Sequence, residues 1–146
     1  IELGKTFGQI PLGLMGVIPG NQSYFIIDNT FSNLNFYEFV SDQYATFQLE
    51  HHFLGRIFSR IPGVRKLNLR EIVSVRGVVG SVSEENIQLN ASSLTYLAPE
   101  KPYWEYGFGV GNIFKVFRLD CTWRGNYRNL PDTNNFTIKG SFGFYF

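Results

Sequence analysis

The segment NNFTIKGSFGFYF, residues 134–146, carries an apolar or small residue at every second position from Phe136 onward. In an extended strand, alternate side chains point to opposite faces. One face would hold Phe136, Ile138, Gly140, Phe142, Phe144 and Phe146, and the other Thr137, Lys139, Ser141, Gly143 and Tyr145. The pattern is typical of the last strand of a soluble sandwich or lipocalin-like barrel, and equally of an outer-membrane barrel whose apolar face meets lipid. This segment alone does not separate the two.

The composition favours β structure in a single domain. Of the 146 residues, 17% are aromatic and 15 are Gly, whereas charged residues make up only 17%, against a usual share of about 25%. The net charge of +1 gives no electrostatic reason to expect a nucleic-acid partner. Mean hydropathy is −0.08, and no apolar run reaches the length of a transmembrane helix. Spanning strands remain compatible with these values, because each needs only about 9–11 alternating residues.

Four further segments alternate in the same way, although the third position pair of one of them, Glu71 and Ile72, breaks its pattern. They are residues 42–53, 66–83, 101–111 and 114–127. With the last segment they predict a meander of about five strands over residues 41–146. Residues 1–40 are rich in Gly and Pro and predict an irregular region, in which residues 23–27 and 34–40 are possible strand pieces.

The alternation separates charged from apolar side chains. The predicted polar, lumen-facing set is Arg70, Arg76, Glu105, Arg118, Asp120, Arg124 and Lys139. The predicted lipid-facing set is Trp104, Tyr106, Phe108, Phe117, Leu119 and Trp123. Charges on neighbouring strands of a barrel wall are expected to form an internal ion-pair lattice, which is favoured here over a substrate path.

The connections have unequal lengths. If Phe146 lies at the periplasmic end, the turn at 111–114 is periplasmic and tight, and the segments 82–100 and 128–133 are longer extracellular loops, as in transmembrane barrels. Residues 54–66 would be a long periplasmic exception, interpreted as a short amphipathic element at the inner membrane face. Eight strands are the minimum for a single-chain barrel. With the absence of an initiator Met or leader sequence, this predicts the C-terminal part of a larger barrel.

Several separated motifs carry a resemblance that covers nearly the whole chain. They are the run Glu50-His51-His52-Phe53, the segment from Arg60-Ile61-Pro62 to Arg70-Glu71, and Gly111-Asn112-Ile113-Phe114-Lys115. The chain resembles the C-terminal barrel of a Gram-negative outer-membrane family in which a carboxypeptidase-regulatory-like domain precedes the barrel and whose function is uncharacterised. This resemblance implies location in the bacterial outer membrane, with membrane lipid and the barrel-assembly machinery as partners; other outer-membrane or periplasmic partners are left open.

The last third of the chain has a second likeness. Residues 107–111, 117–124 and 136–146 resemble the final strands of barrels that insert or translocate proteins, in the barrel-assembly superfamily. The motif SVRG at 74–77 is similar to a loop motif of that superfamily, but here it falls inside a predicted strand. The terminal strand also resembles a barrel-assembly recognition signal, with Gly140, Phe142, Phe144 and Phe146 as its residues, which would be read by strand addition.

Other motifs give no convincing catalytic or cofactor site. His51 and His52 are neighbours in a strand and point to opposite faces, so Glu50 and His52 lack the further ligands that a metal needs. Gly107, Gly109 and Gly111 precede no helix, which excludes a dinucleotide fingerprint; they are interpreted as permitting close approach or curvature. Cys121 would face lipid. We therefore predict a non-enzymatic protein without cofactor, an outer-membrane anchor or a transport or assembly pore. The alternatives are a protein-insertion barrel and a soluble barrel that binds an apolar ligand.

Overall fold

The computed structural model describes residues 1–90, 98–99 and 101–143, and the strands in it are all antiparallel partners in two sheets. The larger sheet has six strands in the order β1, β4, β5, β6, β7, β8. Its strands are β1 (Glu2–Lys5), β4 (Gln43–His52), β5 (Arg70–Ser81), β6 (Tyr103–Ile113), β7 (Phe117–Arg124) and β8 (Phe136–Phe142). The short strands β2 (Gly16–Val17) and β3 (Val40–Ser41) form the second sheet. The predicted all-β, antiparallel class is confirmed.

Strands β4 to β8 form a meander in which each strand pairs with the next along the chain. Strand β1, only four residues long, pairs with β4 and extends the sheet at its other edge. The sheet is not closed, because in the described residues β1 and β8 do not pair with each other. Residues 144–146, with Phe144 and Phe146 of the predicted assembly signal, lie outside the described residues.

Three local expectations were wrong. The hairpin between β6 and β7 turns at residues 114–116 rather than 111–114, because β6 continues to Ile113 through an irregularity in register after Val110. Residues 82–100 are not all loop, since α1 (Glu84–Leu89) lies within them. The possible strands at 23–27 and 34–40 are almost entirely irregular, apart from an isolated bridge at Phe25 and the start of β3. Polar Asn and Ser side chains satisfy the backbone there, as when Asn21 binds Ser23 N–H.

The long connection from β4 to β5 folds as two 3₁₀ turns, Phe58–Arg60 and Val64–Leu67. A positive φ of 94° at Gly63 allows the chain to reverse between them. The carboxylate of Glu71 accepts a hydrogen bond from Phe58 N–H, and Glu71 O accepts one from Phe53 N–H. Glu71 is fully buried in this role. The break in alternation at Glu71 is thus the point where the connection is fastened to β5.

The hydrophobic core is small and lies at one end of the sheet. The cluster consists of Ile18, Phe31, Leu34, Phe39, Val78 and Tyr103. Four of these six come from the segment 15–42, here called the inner segment, and two come from β5 and β6. The core therefore holds the inner segment against one face of the sheet.

Candidate functional site

The face of the sheet that the inner segment covers is polar. In register across the strands, Gln48, Arg76, Glu105 and Arg124 form one row, and His52, Ile72, Gly109, Asp120 and Lys139 form the next. Most of these side chains are buried, and Arg124 is completely so. Buried charges require partners, since desolvation otherwise disfavours the charged form. The partners come both from neighbouring strands and from the inner segment.

Glu105 is the central acceptor of this polar face. Its Oε1 accepts a hydrogen bond from Ser32 N–H at 2.8 Å, and Oε2 accepts from Asn33 N–H at 3.0 Å and from Tyr103 Oη at 3.1 Å. Arg76 lies 3.6 Å away and itself donates to Thr30 O. One buried carboxylate therefore satisfies two consecutive backbone amides of an irregular segment that has no regular partner strand at that point.

Two buried cations fasten the inner segment at other places. Arg124 pairs with Glu38 and donates to Asn33 O at 3.1 Å, while its guanidinium carbon lies 5.0 Å from the centre of the Tyr103 ring. Lys139 Nζ donates to Asn21 O at 2.5 Å and to Ser23 O at 2.6 Å. Close by, Gly140 exchanges hydrogen bonds with Tyr24 O and Ile26 N–H. The inner segment is thus held along β6, β7 and β8.

A separate ion-pair group lies nearer the other end of the polar face. Arg118 donates to both oxygens of Glu50 at 2.8 Å and to both oxygens of Asp120 at 2.7 and 2.6 Å. Glu50 Oε1 also lies 2.8 Å from His52 Nε2. The pair Glu50 and His52 therefore belongs to an ion-pair network. Among the described residues, no group of three or more His, Cys, Asp or Glu could hold a metal ion.

The opposite face of the sheet is apolar and uncovered in the described residues. Trp104 is 41% exposed, and Phe142 is 73% exposed. Tyr106 stacks with Trp104 and with Trp123, at centroid distances of 5.6 and 5.8 Å. The other exposed apolar side chains of this face are Leu3, Phe47, Leu49, Val73, Val79, Phe108, Leu119, Phe136 and Ile138. Monomeric soluble proteins rarely leave so large an apolar patch open.

The structure places the predicted site residues as follows. Arg76, Glu105, Arg118, Asp120, Arg124 and Lys139 are buried on the polar face, and Arg70 is half-buried in the same register. Trp104, Tyr106, Phe108, Phe117, Leu119 and Trp123 lie on the apolar face with Cys121. Of the assembly signal, Gly140 and Phe142 are in β8, where the Phe142 ring packs 5.0 Å from that of Phe117.

The sequence analysis overlooked Glu38 and the backbone amides of Ser32 and Asn33. No periodic pattern marks an irregular segment, so nothing linked Glu38 to Arg124, 86 positions later. The only available signal was chemical: buried arginines on strands need acidic partners from somewhere. It also overlooked why β6 has three glycines: at Gly109 a Cβ would lie 2.3 Å from Asp120 Oδ1, so the space is occupied by a side chain of the neighbouring strand.

Comparison with protein families gives one match. Residues 18–110, more than half of the chain, match a family described as "Family of unknown function (DUF5686) C-terminal domain". The chain belongs to this family. The match covers the inner segment and strands β3 to β5, together with most of β6. A C-terminal domain agrees with the prediction of a C-terminal region of a larger protein. Comparisons with curated proteins and with solved structures give no match.

No helix in the described part of the chain is long and apolar enough to cross a membrane.

Proposed function

We propose that this DUF5686 C-terminal domain is a section of an outer-membrane β-barrel wall, with its apolar face toward lipid and its inner segment inside the barrel. Its role is that of a membrane anchor or a transport or assembly pore rather than an enzyme. The observation that carries the proposal is the division of the sheet: buried, paired charges on one face and open aromatic residues on the other. In transmembrane barrels the outward face is apolar and the interior is polar.

The inner segment supports an occluded wall in preference to an open one. It makes hydrogen bonds or ion pairs with Arg76, Glu105, Arg124 and Lys139, which are the charges that would otherwise line the lumen. A soluble barrel that binds an apolar ligand requires the reverse arrangement, with apolar side chains inside and charges outside. The burial of Arg118, Asp120 and Arg124 counts against that alternative. A protein-insertion barrel remains an alternative that rests on sequence likeness alone.

Membrane fractionation tests the proposal. The protein, expressed from its complete gene in a Gram-negative host, is expected in the outer-membrane fraction, resistant to urea or carbonate washing and released by detergent. Wild-type protein and a variant carrying the paired exposed-residue changes Glu84→Gln and Glu85→Gln, which leave both sheet faces intact, should behave alike. Recovery of the folded protein in the soluble periplasmic fraction would contradict the proposal.

The assembly signal is tested separately. Strand addition by an assembly machinery reads alternating side chains and main-chain groups of an exposed edge. Deletion of Phe146 is expected to slow the appearance of folded, heat-modifiable protein in the outer membrane, whereas deletion of an exposed loop residue such as Asn129 is not. Equal rates of assembly for the two variants would contradict the signal while leaving the barrel proposal in place.

A further inference from the structure

The connection between β4 and β5, residues 54–69, is here called the basic cap, and its charge is one-sided. It contains Arg56, Arg60, Arg65 and Lys66 and no Asp or Glu. All four cations are exposed, and none forms an ion pair with a described residue. On the polar face, by contrast, Arg76, Arg118 and Arg124 each have an acidic partner. The basic cap therefore presents positive charge that the described part of the protein does not neutralise.

The same segment exposes apolar side chains between its cations. Leu54, Ile57, Ile61 and Leu67 are all exposed. The adjoining β6–β7 turn adds Phe114, which is 92% exposed, and Lys115. Asn112 Nδ2 donates to Asn68 O at 2.7 Å and so joins this turn to the basic cap. Exposed apolar groups beside cations match a surface with hydrocarbon and negative charge, which distinguishes a lipid surface from nucleic acid or an acidic peptide.

A cavity of about 470 Å³ lies within this end of the molecule. Its lining includes Ser59, Arg65, Asn68, Arg70 and Asn112, which are mostly donors of hydrogen bonds. The lining is held in place from both sides: Arg65 N–H donates to Ile61 O, and the Glu71 carboxylate accepts from Phe58 N–H. Arginine beside amide and hydroxyl donors is suited to a phosphate group.

We propose that the basic cap binds anionic phospholipid, with Arg60 and Lys66 on the headgroup surface and Arg65 at the phosphate within the cavity. This inference rests on the proposed function, since it assigns the end of the sheet that carries the basic cap to a membrane–water interface. Charge complementarity selects the occupant: four unpaired cations attract anionic lipid, and the exposed Ile57, Ile61 and Leu67 side chains enter the boundary of the acyl chains.

Native mass spectrometry of the complete protein in an uncharged detergent measures the predicted selectivity. The probes are short-chain phosphatidylglycerol, short-chain phosphatidylcholine and inorganic phosphate. Phosphatidylglycerol is expected to bind most tightly, and the double variant Arg60→Gln, Lys66→Gln should weaken it roughly 25-fold, because each cation near an anionic lipid surface contributes about fivefold. Lys5→Gln, Lys101→Gln removes the same charge from exposed sites elsewhere and should change affinity less than twofold, by about the loss of net charge alone.

Arg65→Gln tests the cavity itself and should reduce phosphatidylglycerol binding at least as much as a single surface change. Equal binding of phosphatidylcholine, equal weakening in the two double variants, or binding of inorganic phosphate as tight as that of phosphatidylglycerol would each overturn the inference. Failure of the proposed function looks different. A protein that fractionates as soluble but keeps the Arg60- and Lys66-dependent selectivity retains the lipid site and loses the barrel.

Discussion

Arg118 and Glu50 face each other across two intervening strands, joined by two parallel hydrogen bonds of 2.8 Å although 68 positions separate them in the chain. Arg118 lies on β7 and Glu50 on β4, so this contact passes over β5 and β6. On the polar face β6 offers only Gly107, Gly109 and Gly111 along this stretch. Two side chains can meet across the sheet because no side chain of β6 stands between them.

Gly109→Ala is predicted to disrupt this ion-pair group. A Cβ at this position would lie 2.3 Å from Asp120 Oδ1, so Asp120 would be displaced and Arg118 would lose a buried partner. Loss of one partner from a buried charged pair costs about 3 kcal/mol. The measurement is the free energy of unfolding in denaturant. Gly111→Ala is the matched control, because its nearest contact of 3.4 Å, to Ile72 Cδ1, is an ordinary one. Equal stability of the two variants would contradict this account of the glycines.

Glu105→Gln is predicted to loosen the inner segment. The substitution replaces one acceptor oxygen with an amide that cannot accept from Ser32 N–H or Asn33 N–H, and it removes the charge opposite Arg76. Hydrogen bonds to a buried charge are worth about 2 kcal/mol each. Hydrogen exchange should therefore accelerate by more than tenfold at the amides of Ser32 and Asn33 and remain unchanged in the centre of β5. An exposed change, Glu85→Gln, serves as the control; unchanged exchange at both amides of the Glu105 variant would refute the prediction.

Asp42 predicts a loss of stability in acid. Burial alone would raise the pKa of Asp42, but hydrogen bonds from Ser83 and Asn86 outweigh it and lower the pKa below its ordinary value. The Asp42 Oδ2 atom accepts from Ser83 N–H at 2.8 Å and from Asn86 Nδ2 at 2.9 Å, at the start of α1. A carboxyl with a depressed pKa in the folded state stabilises the fold above its unfolded pKa, and this contribution is lost as the pH falls through the folded value.

The unfolding free energy of the wild type should therefore fall below about pH 4 more steeply than that of Asp42→Asn, which has no such charge to lose. The comparison is made by denaturant titration at several pH values. Asp132→Asn, at an exposed position, should keep the wild-type slope. Parallel pH profiles for wild type and Asp42→Asn would show that the ionised Asp42 carboxylate does not stabilise this junction.

The strands and their two faces could be predicted from the sequence because alternation with a period of two is a local signal. Thus Arg118, Asp120 and Arg124 were assigned to one face and Phe117, Leu119 and Trp123 to the other, as the register of β7 has them. The four-residue β1 was not predicted, because so short a strand has too few positions to show a period. Its pairing with β4 is a tertiary contact.

The position of the inner segment could not be predicted for a different reason. Its contacts are backbone amides and carbonyls that meet buried side chains far along the chain, as Ser32 meets Glu105. Such contacts are independent of side-chain pattern in the irregular partner. The defect in alternation at Glu71 was visible in the sequence, but its cause, a hydrogen bond from Phe58 N–H, depends on how residues 54–69 fold.

The central claim, that the apolar face contacts lipid, is tested most directly by the protein's own tryptophans. Trp104 and Trp123 are the two tryptophans of the chain, and both lie on the apolar face. Their fluorescence is measured in the purified protein reconstituted into bilayers with brominated acyl chains, with aqueous iodide as the opposing quencher. Strong quenching by brominated chains and weak quenching by iodide is the predicted result. Strong quenching by iodide with no effect of the brominated chains would contradict the account.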